Sequence, residues 1–346
     1  MKQQIKYFLS FLLFITGITP LYLRLRLLNK RQIFVLLYHR IRKAEDPFEA
    51  AVSPENFERQ LRFLKNNFEV VPLREALERK ARNRTSKRPL AVITFDDGYL
   101  DNIKVAHPIL KRHALPATFF LAAGSIGNEE PMWTSRVETI FKNTPVRNLA
   151  LATLSKLRHY ELDSPDERMR VCYEVKREMK EVPDERRQAI LEELEAKAGP
   201  VERGELQSEM MSWEEARRLA SDPGVEIGSH SVSHRMLANL SDEAIRGELE
   251  ESKRVIEREI GRPVRFLSYP GNSYDERVKK QACVTGYQAA LAVDQAITGF
   301  EEDPFSLKRL HIEDGPLHLF QAELALLFPL PKFFTNRRNS RGGSKR

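Results

Sequence analysis

The stretch VITFDDGYLDN, residues 92–102, places two aspartates directly after a run of β-branched and aromatic residues. The run LAVITF (90–95) is typical of a buried strand, and Asp96 and Asp97 stand at its end. Two neighbouring carboxylates repel each other, and burial penalises each of them. An exposed turn would explain an isolated Asp-Asp-Gly, because both residue types are common in turns. Other motifs in the chain are needed to distinguish an exposed turn from a functional site at these aspartates.

Strand-like and helix-like segments alternate along most of the chain. Short apolar runs that fit buried strands are followed by segments with helical periodicity, and one helix is marked by Ser53 as its N-cap and Pro54 as its first residue. Such alternation predicts an α/β fold with a mostly parallel sheet, either open or closed into a barrel. In both cases function lies at the carboxyl ends of the strands. The predicted strands are 33–41, 68–73, 90–95, 117–122, 225–230, 264–270 and 289–293.

The region from about 134 to 211 interrupts this alternation. It is highly charged, and its apolar residues recur at helical spacing, as in Cys172, Val175, Met179 and Val182. We expect a helical insertion outside the barrel, which shapes substrate access rather than chemistry. The whole chain then divides into a hydrophobic N-terminal segment (1–32), a main α/β domain (33–328) and a basic disordered tail (329–346).

Composition and charge narrow the possible classes of protein. The two cysteines, Cys172 and Cys283, provide neither a disulfide framework nor a cysteine-based zinc site. Any metal site must therefore use His, Asp or Glu. Much of the net charge of +7 comes from residues 23–31 and 336–346. Basic ends are more typical of membrane-proximal or solvated segments than of a base-reading surface, so we expect no nucleic-acid partner.

The N-terminal segment has a basic start and an apolar run from Phe8 to about Leu23, interrupted by Gly17 and Pro20. This run is short for a transmembrane helix, which needs roughly 20 apolar residues, and no small-residue cleavage site follows it. Basic residues flank both ends, so they indicate no direction of insertion. An uncleaved anchor and a helix lying in the membrane interface are both open. We expect membrane association at the cell envelope, on a side that the sequence does not determine.

Several reactive side chains follow strands that should end at one rim of the sheet. Asp96 and Asp97 end one strand, His230 and His234 of SHSVSH follow another, and His39 of LLYHR ends the first. Each histidine alone is ordinarily a loop or strand-end residue bonded to backbone or water. Together they match the two-histidine, one-carboxylate composition of hydrolytic zinc sites and of some non-haem iron sites. One aspartate would then bind the metal, and the other would accept a proton.

The segments TFDDGY, SHSVSH, ATFFL and FLSYPGNSYDE resemble the metal-dependent polysaccharide deacetylases, also called NodB-homology or carbohydrate esterase family 4 proteins. The resemblance covers roughly residues 33–310, apart from the insertion. It implies a distorted (β/α) barrel, hydrolysis of N-acetyl groups (less often O-acetyl groups) on glycans, and usually Zn2+. It also implies that Asp96 is the catalytic base and that Asp97, His230 and His234 are the metal ligands.

Two motifs depart from the usual pattern of that family. In most members of the family the general-acid histidine lies late in the sequence, where His311 and His318 are the candidates here. In a circularly permuted subgroup that resembles poly-N-acetylglucosamine deacetylases, this histidine precedes the aspartates, as His39 does. We favour His39 and keep His311 as the alternative acid. The third motif is SYPGN and lacks the usual arginine, which leaves open what orients Asp96. Its residues Tyr269, Pro270 and Gly271 match the oxyanion and substrate positions, and the backbone N–H of Gly271 is the expected donor.

The resemblance predicts a hydrolase that releases acetate from a glycan containing N-acetylhexosamine. Two alternatives stay open: a deacylase of a lipid-linked sugar or of peptidoglycan on the same fold, and a catalytically silent glycan-binding protein. An acetylated glycan and the membrane are the expected partners, and no protein partner can be inferred.

Overall fold

Parallel strands close into a barrel in the computed structural model, which describes residues 2–43, 48, 51–128, 131–152, 157–199 and 209–327. The described strands are β1 (Gln32–Tyr38), β2 (Arg40–Ile41), β3 (Ala51–Val52), β4 (Glu69–Val70), β5 (Leu90–Phe95), β6 (Ala117–Leu121), β7 (Asn148–Leu151), β8 (Arg158–Glu161), β9 (Val225–Ser229), β10 (Phe266–Ser268), β11 (Ala289–Val293), β12 (Thr298–Gly299) and β13 (Leu307–His311). Seven of them form the ring β1-β13-β11-β10-β9-β6-β5, in which β5 pairs again with β1. The predicted α/β architecture is confirmed, and its sheet is the closed form.

The register of the barrel strands brings their carboxyl ends to one rim. Tyr38 of β1 lies opposite Phe95 of β5, and Leu37 lies opposite His311 of β13. On the other side of the ring, Ser229 of β9 is level with Leu121 of β6. The residues that directly follow β1, β5 and β9 therefore meet at the same mouth.

The barrel interior is apolar at its base and polar near this mouth. Strand side chains alternate between inside and outside; along β5, Val92 belongs to the inner apolar cluster, whereas Ile93 belongs to the outer core. Gly228 of β9 makes room for the ring of Phe120, because a Cβ at this glycine would lie 2.4 Å from that ring. Above this layer the interior contains buried Arg309, whose guanidinium carbon lies 5.8 Å from the Phe120 ring centroid.

Helices cover the outside of the barrel through their apolar faces. The expected N-cap is confirmed, since the Ser53 side chain accepts a hydrogen bond from the backbone N–H of Asn56. The buried face of that helix includes Phe57, Leu61 and Leu64. The described helices are α1 (Lys2–Ile15), α2 (Ile18–Leu28), α3 (Pro54–Asn67), α4 (Leu73–Ala81), α5 (His107–His113), α6 (Trp133–Asn143), α7 (Pro165–Glu181), α8 (Asp184–Lys197), α9 (Trp213–Ala220), α10 (Asp242–Ile260), α11 (Glu276–Val284) and α12 (Leu317–Leu324).

The insertion is not purely helical, which corrects the sequence-based expectation. It contains α6, α7 and α8, but also the antiparallel pair β7–β8. Leu149, Leu151 and Tyr160 are buried on this pair and join a core of the insertion's own with Val175 and Met179 of α7. Strands of four residues are too short for alternation to be recognised among so many charges. Residues 153–156 and 200–208 of the predicted insertion lie outside the described residues.

Several predicted boundaries shift for local reasons. Only Glu69–Val70 of the segment 68–73 is a strand, because Pro72 caps the helix α4 that begins at Leu73. A π-helical turn, Asn102–Ala106, directly precedes helix α5. The predicted tail, 329–346, lies outside the described residues.

The N-terminal segment forms two helices that bend by 75° between α1 and α2, at Gly17. By length and composition, no single described helix is suited to crossing a bilayer, whereas this bent pair meets the requirement only when its two helices are taken together. Both helices contact α12 on the outside of the barrel.

Candidate metal centre and active site

The aspartate pair lies at the barrel mouth in a polar, buried position. Asp96 follows β5 and is 2 % exposed, and Asp97 is 6 % exposed. The backbone of Asp97 is left-handed, with φ of 77°, and so is that of the following Gly98. Non-glycine residues adopt this conformation at an energetic cost, and they are concentrated at functional sites. The turn separates the two carboxylates, so that each meets a different set of partners.

Asp97 converges with two histidines. Its Oδ1 lies 3.4 Å from His230 Nε2 and 3.5 Å from His234 Nε2. Candidate ligand atoms of all three buried residues lie within 4.8 Å of one another. A tetrahedral zinc site with bonds of about 2.0–2.2 Å separates neighbouring ligand atoms by about 3.3–3.6 Å. The carboxylate-to-histidine distances therefore fit a shared divalent ion.

The hydrogen bonding of these side chains also fits a metal. His230 Nδ1 lies 2.8 Å from the carbonyl oxygen of Ser268; because a carbonyl only accepts, Nδ1 carries the proton and Nε2 keeps its lone pair for an ion. Asp97 Oδ1 is buried and has no hydrogen-bond partner within the described part of the chain. Burial raises the pKa of Asp97 to about 6, although His230 opposes this rise. A cation at this point would satisfy the carboxylate oxygen that has no hydrogen-bond partner among the described residues.

Helix α6 of the insertion contacts the loop that carries His234. The Trp133 indole N–H donates to the backbone carbonyl oxygen of His234 at 3.1 Å. His234 itself has a left-handed backbone, with φ of 54°, and burial lowers its pKa well below the usual range. The uncharged ring is the form that binds a metal. The insertion thus supports a candidate ligand directly.

Asp96 is held by an arginine that the sequence reading missed. The buried guanidinium of Arg309 donates from Nη1 to Oδ1 and from Nη2 to Oδ2 of Asp96, each at 2.8 Å. Ser268 Oγ donates to Oδ2 at 2.9 Å. Burial acts to raise the pKa of Asp96, but Arg309 together with His230 and His39 outweighs it and holds the pKa well below the usual range. Asp96 is therefore an oriented, ionised carboxylate.

A sequence signal for Arg309 exists in the segment KRLH. Arg309 and His311 are two residues apart on β13, so their side chains point to the same face of the strand. An arginine aligned with a candidate catalytic histidine inside a barrel requires a buried anion. Arg309 on β13 thus takes the place of the arginine that the third motif lacks.

Both candidate acids lie at the mouth. The ring centroids of His39 and His311 are 5.7 Å apart. Burial lowers the pKa of His39 to about 4 and that of His311 to about 3, so both rings are uncharged at neutral pH. His311 ends a barrel strand and is 7 % exposed. The geometry brings both histidines to the site.

The third motif forms a tight turn beside the metal centre. The Tyr269 hydroxyl donates to the carbonyl oxygen of Phe305 at 2.9 Å, and its ring stacks on that of Tyr274. These contacts hold the loop, and a direct substrate contact by Tyr269 stays a prediction. Pro270 begins the turn, and Gly271 has φ of 56°. A Cβ on Gly271 would lie 2.7 Å from Met236 Sδ, so the loops of the third motif and of His234 are closely packed.

A comparison with protein-family models matches residues 83–290 to the polysaccharide deacetylase family. The match covers more than half of the chain. The chain belongs to the polysaccharide deacetylase family, and it is a hydrolase of N-acetyl amide bonds.

Individual relatives agree with this assignment. The putative polysaccharide deacetylase YxkH of Bacillus subtilis is 20% identical over 282 residues, which are 81% of this chain and 71% of that protein. The poly-beta-1,6-N-acetyl-D-glucosamine N-deacetylase of Staphylococcus aureus is 33% identical over 115 residues, which are 29% of this chain and 39% of that enzyme.

Solved structures share the fold. The Streptococcus pyogenes deacetylase PplD, in complex with acetate, aligns with a TM-score of 0.55 at 16% identity, over 82% of this chain and 94% of that one. IcaB from Ammonifex degensii aligns with a TM-score of 0.55 at 16% identity, over 85% of this chain and 97% of that one.

Proposed function

We propose that this protein is a zinc-dependent deacetylase of a glycan that contains N-acetylglucosamine. The observation that carries the proposal is the convergence of Asp97, His230 and His234 next to a separate carboxylate, Asp96, which an arginine orients. One carboxylate is thus assigned to binding and the other to proton transfer. Zinc suits imidazole and carboxylate ligands without cysteine.

A zinc ion held by these three residues would lower the pKa of a bound water to about 7 and polarise the acetyl carbonyl. Asp96 accepts the proton of the attacking water, since its oxygens are ionised and fixed by Arg309. The backbone N–H of Gly271 donates to the oxygen that becomes negative. Acetate and a free amine are the products.

The departing nitrogen needs a proton, and we assign its delivery to His39. The ring of His39 is uncharged at neutral pH, because burial lowers its pKa to about 4. The negative charge of Asp96 opposes this lowering. The proton that Asp96 takes from water can therefore pass to His39 and on to the amine. His311, which lies across the mouth, is the alternative acid.

We propose poly-N-acetylglucosamine as the substrate class. Support comes from the likeness to the Staphylococcus aureus enzyme, whose name specifies poly-beta-1,6-N-acetyl-D-glucosamine, over 115 residues. These residues amount to 29% of this chain, so the linkage has to be tested directly.

Acetate release from β-1,6- and β-1,4-linked N-acetylglucosamine oligomers tests both the activity and the linkage. We expect release from the β-1,6 series with zinc-loaded protein, its loss with a chelator, and recovery when zinc is restored. The Asp97→Ala variant should lose both zinc and activity. Full activity in the presence of chelator would contradict the metal-dependent mechanism, and binding of oligomers without release would favour a silent glycan-binding protein.

We also propose that α1 and α2 attach the protein to the surface of a bilayer at the cell envelope. Of the described residues, large exposed apolar side chains occur mainly on these two helices, and Phe8, Ile15 and Leu25 are 61 %, 58 % and 55 % exposed. The opposite side is fixed to the barrel: Tyr7 donates to the carbonyl oxygen of Asp314 at 2.9 Å, and Arg26 donates to that of Ala325 at 2.8 Å. A docked, bent helix pair suits an interfacial position.

This attachment favours a membrane-borne substrate as the second candidate. Lys6 of α1 pairs with Glu313 at 2.8 Å, and Glu313 lies only two residues beyond His311. The proposed membrane surface is therefore linked to the rim of the active site. A lipid-linked sugar or a peptidoglycan strand held near the bilayer could reach the same centre.

Flotation with vesicles of phosphatidylcholine and phosphatidylglycerol tests the attachment. We expect the full chain to float with the vesicles, and Phe8→Ser/Ile15→Ser/Leu25→Ser to stay in solution. The matched control is Leu157→Ser/Val284→Ser, which removes two exposed apolar side chains outside these helices (59 % and 71 % exposed). Equal flotation of the triple variant would refute the assignment.

A further inference from the structure

The insertion packs directly against the loop that carries His234 at the metal centre. Met236, two residues after His234, belongs to the apolar core of the insertion together with Val175 and Met179 of α7. The Trp133 indole donates to the His234 carbonyl oxygen from the same side. The last turn of α7 therefore lies above the candidate active site.

A lysine in this last turn points toward the third motif. Lys180 Cε lies 3.8 Å from the position that a Cβ on Gly271 would occupy. The backbone near Lys180 is tied down, because the Asn239 side-chain amide donates to the carbonyl oxygens of Lys180 and Val182 at 3.0 and 3.1 Å. The side chain thus extends from an anchored helix end to the residue whose N–H is the expected oxyanion donor.

The positive charge of Lys180 influences the pKa values of several groups at the metal centre. Burial is the largest influence on the pKa values of Asp97, His39 and His234, and the positive charge of Lys180 contributes to all three. These groups follow three different barrel strands that end at the mouth, and Lys180 Cε lies beside Gly271 at the same mouth. Burial lowers the pKa of Lys180 to about 8.

The neighbouring lysine of α7 has a different environment. Lys176, one turn earlier, donates a hydrogen bond to Glu138 of α6 within the insertion. Its charge is satisfied by a structural ion pair. The carboxylates that act on Lys180 are Glu138 and Asp97, of which the second belongs to the metal centre.

We propose that Lys180 and the backbone N–H of Gly271 form an anion-binding pocket beside the metal centre. The pocket takes the acetyl oxygen as it becomes negative and then a carboxylate oxygen of the product. In this arrangement the insertion supplies a catalytic residue, in addition to shaping access. The assignment rests on the proposed deacetylation, whereas carboxylate binding by the pocket can be measured without turnover.

Calorimetric titration of the zinc-loaded full-length protein with sodium acetate tests the pocket. Lys180→Met should weaken acetate binding at least about fivefold at unchanged zinc content, and Lys180→Arg should recover part of it. Arg177→Met, on the exposed side of the same helix, should bind acetate like the wild type. Lys180→Gln repeats the measurement if the methionine variant does not fold.

Kinetics provide the second measurement. Loss of one oxyanion partner lowers kcat by about 10²–10³, so Lys180→Met should lower kcat with little change in KM. Unchanged acetate affinity in a folded, zinc-replete Lys180→Met protein would overturn the assignment. If no protein, the wild type included, releases acetate from oligomers while Lys180→Met still weakens acetate binding, deacetylation is refuted and the pocket stands.

Discussion

At the scale of single residues, the Asp96–Arg309 pair separates the roles of the two adjacent aspartates. Arg309 is fully buried and forms two parallel hydrogen bonds with Asp96. Asp97, one residue later, has a buried oxygen that finds no hydrogen-bond partner among the described residues and lies close to two histidines. The Asp-Asp sequence is therefore stable in a buried position because one charge is paired within the protein and the other is suited to an ion.

Arg309→Gln should lower the free energy of unfolding and leave the fold of the protein unchanged. The substitution leaves the Asp96 carboxylate buried without its partner, which costs about 3–5 kcal/mol for buried pairs. Urea unfolding measures this loss. Asp96→Asn/Arg309→Gln should recover much of the stability, since no unpaired charge is left, while activity stays low. Equal destabilisation in the single and double variants would show that the pair is not the cause.

The two candidate acids can be separated by substitution. If His39 protonates the amine, His39→Ala should lower kcat by about 10²–10⁴, with zinc content and KM nearly unchanged. His311→Ala should be mild by comparison. Steady-state acetate release with both variants decides, and an inactive His311→Ala protein beside a nearly normal His39→Ala protein would reverse the assignment.

At the scale of elements, much of the barrel could be predicted from the sequence, because its buried strands are continuous apolar runs. LAVITF and ATFFL coincide with β5 and β6 to within a residue. The antiparallel pair β7–β8 could not be predicted, because strands of only four residues are too short to show a periodicity. Arg309 was missed for another reason: its partner Asp96 is 213 residues away, and only the closed barrel brings them together.

The insertion and the metal centre should be coupled through Trp133. Trp133→Phe keeps the ring's packing but removes the hydrogen bond to the His234 carbonyl oxygen. Supporting contacts of metal ligands typically contribute 10–100-fold to affinity, so we expect zinc affinity to fall by about tenfold. Competition with a chromophoric chelator measures it, and Trp213→Phe, at the only other tryptophan, is the control. An unchanged affinity would show that the Trp133 hydrogen bond does not support metal binding.

At the scale of the whole molecule, the barrel gathers groups from both ends of the chain at one rim. His39 directly follows β1, Arg309 and His311 lie on β13, and α1 contacts the loop that follows β13. The strand order explains this arrangement, because β1 closes the ring between β13 and β5. An acid placed early in the sequence can therefore occupy the same mouth as one placed late.

Zinc that binds at this rim should also stabilise the folded protein. A ligand that binds only the folded state stabilises it by RT ln(1 + [L]/Kd), about 4 kcal/mol at a thousandfold excess over Kd. We therefore expect zinc to raise Tm by several degrees, and a chelator to reverse the change. In the absence of metal, Asp97→Asn should not lower the stability of the protein. It replaces a buried carboxylate oxygen that has no hydrogen-bond partner in the described part of the chain, a feature that costs about 1–3 kcal/mol or more for a charged group.

The metal-free Asp97→Asn protein should thus melt at or above the metal-free wild type, and zinc should no longer raise its Tm. Differential scanning calorimetry of both proteins, with zinc and with chelator, makes the comparison. Ser125→Ala, which alters a buried polar residue that we assign no ligand role, should retain the zinc-dependent shift. If zinc stabilised Asp97→Asn as much as the wild type, the ion would not be held at Asp97. If the metal-free variant were instead much less stable than the metal-free wild type, Asp97 would be a structural residue whose charge the protein already satisfies.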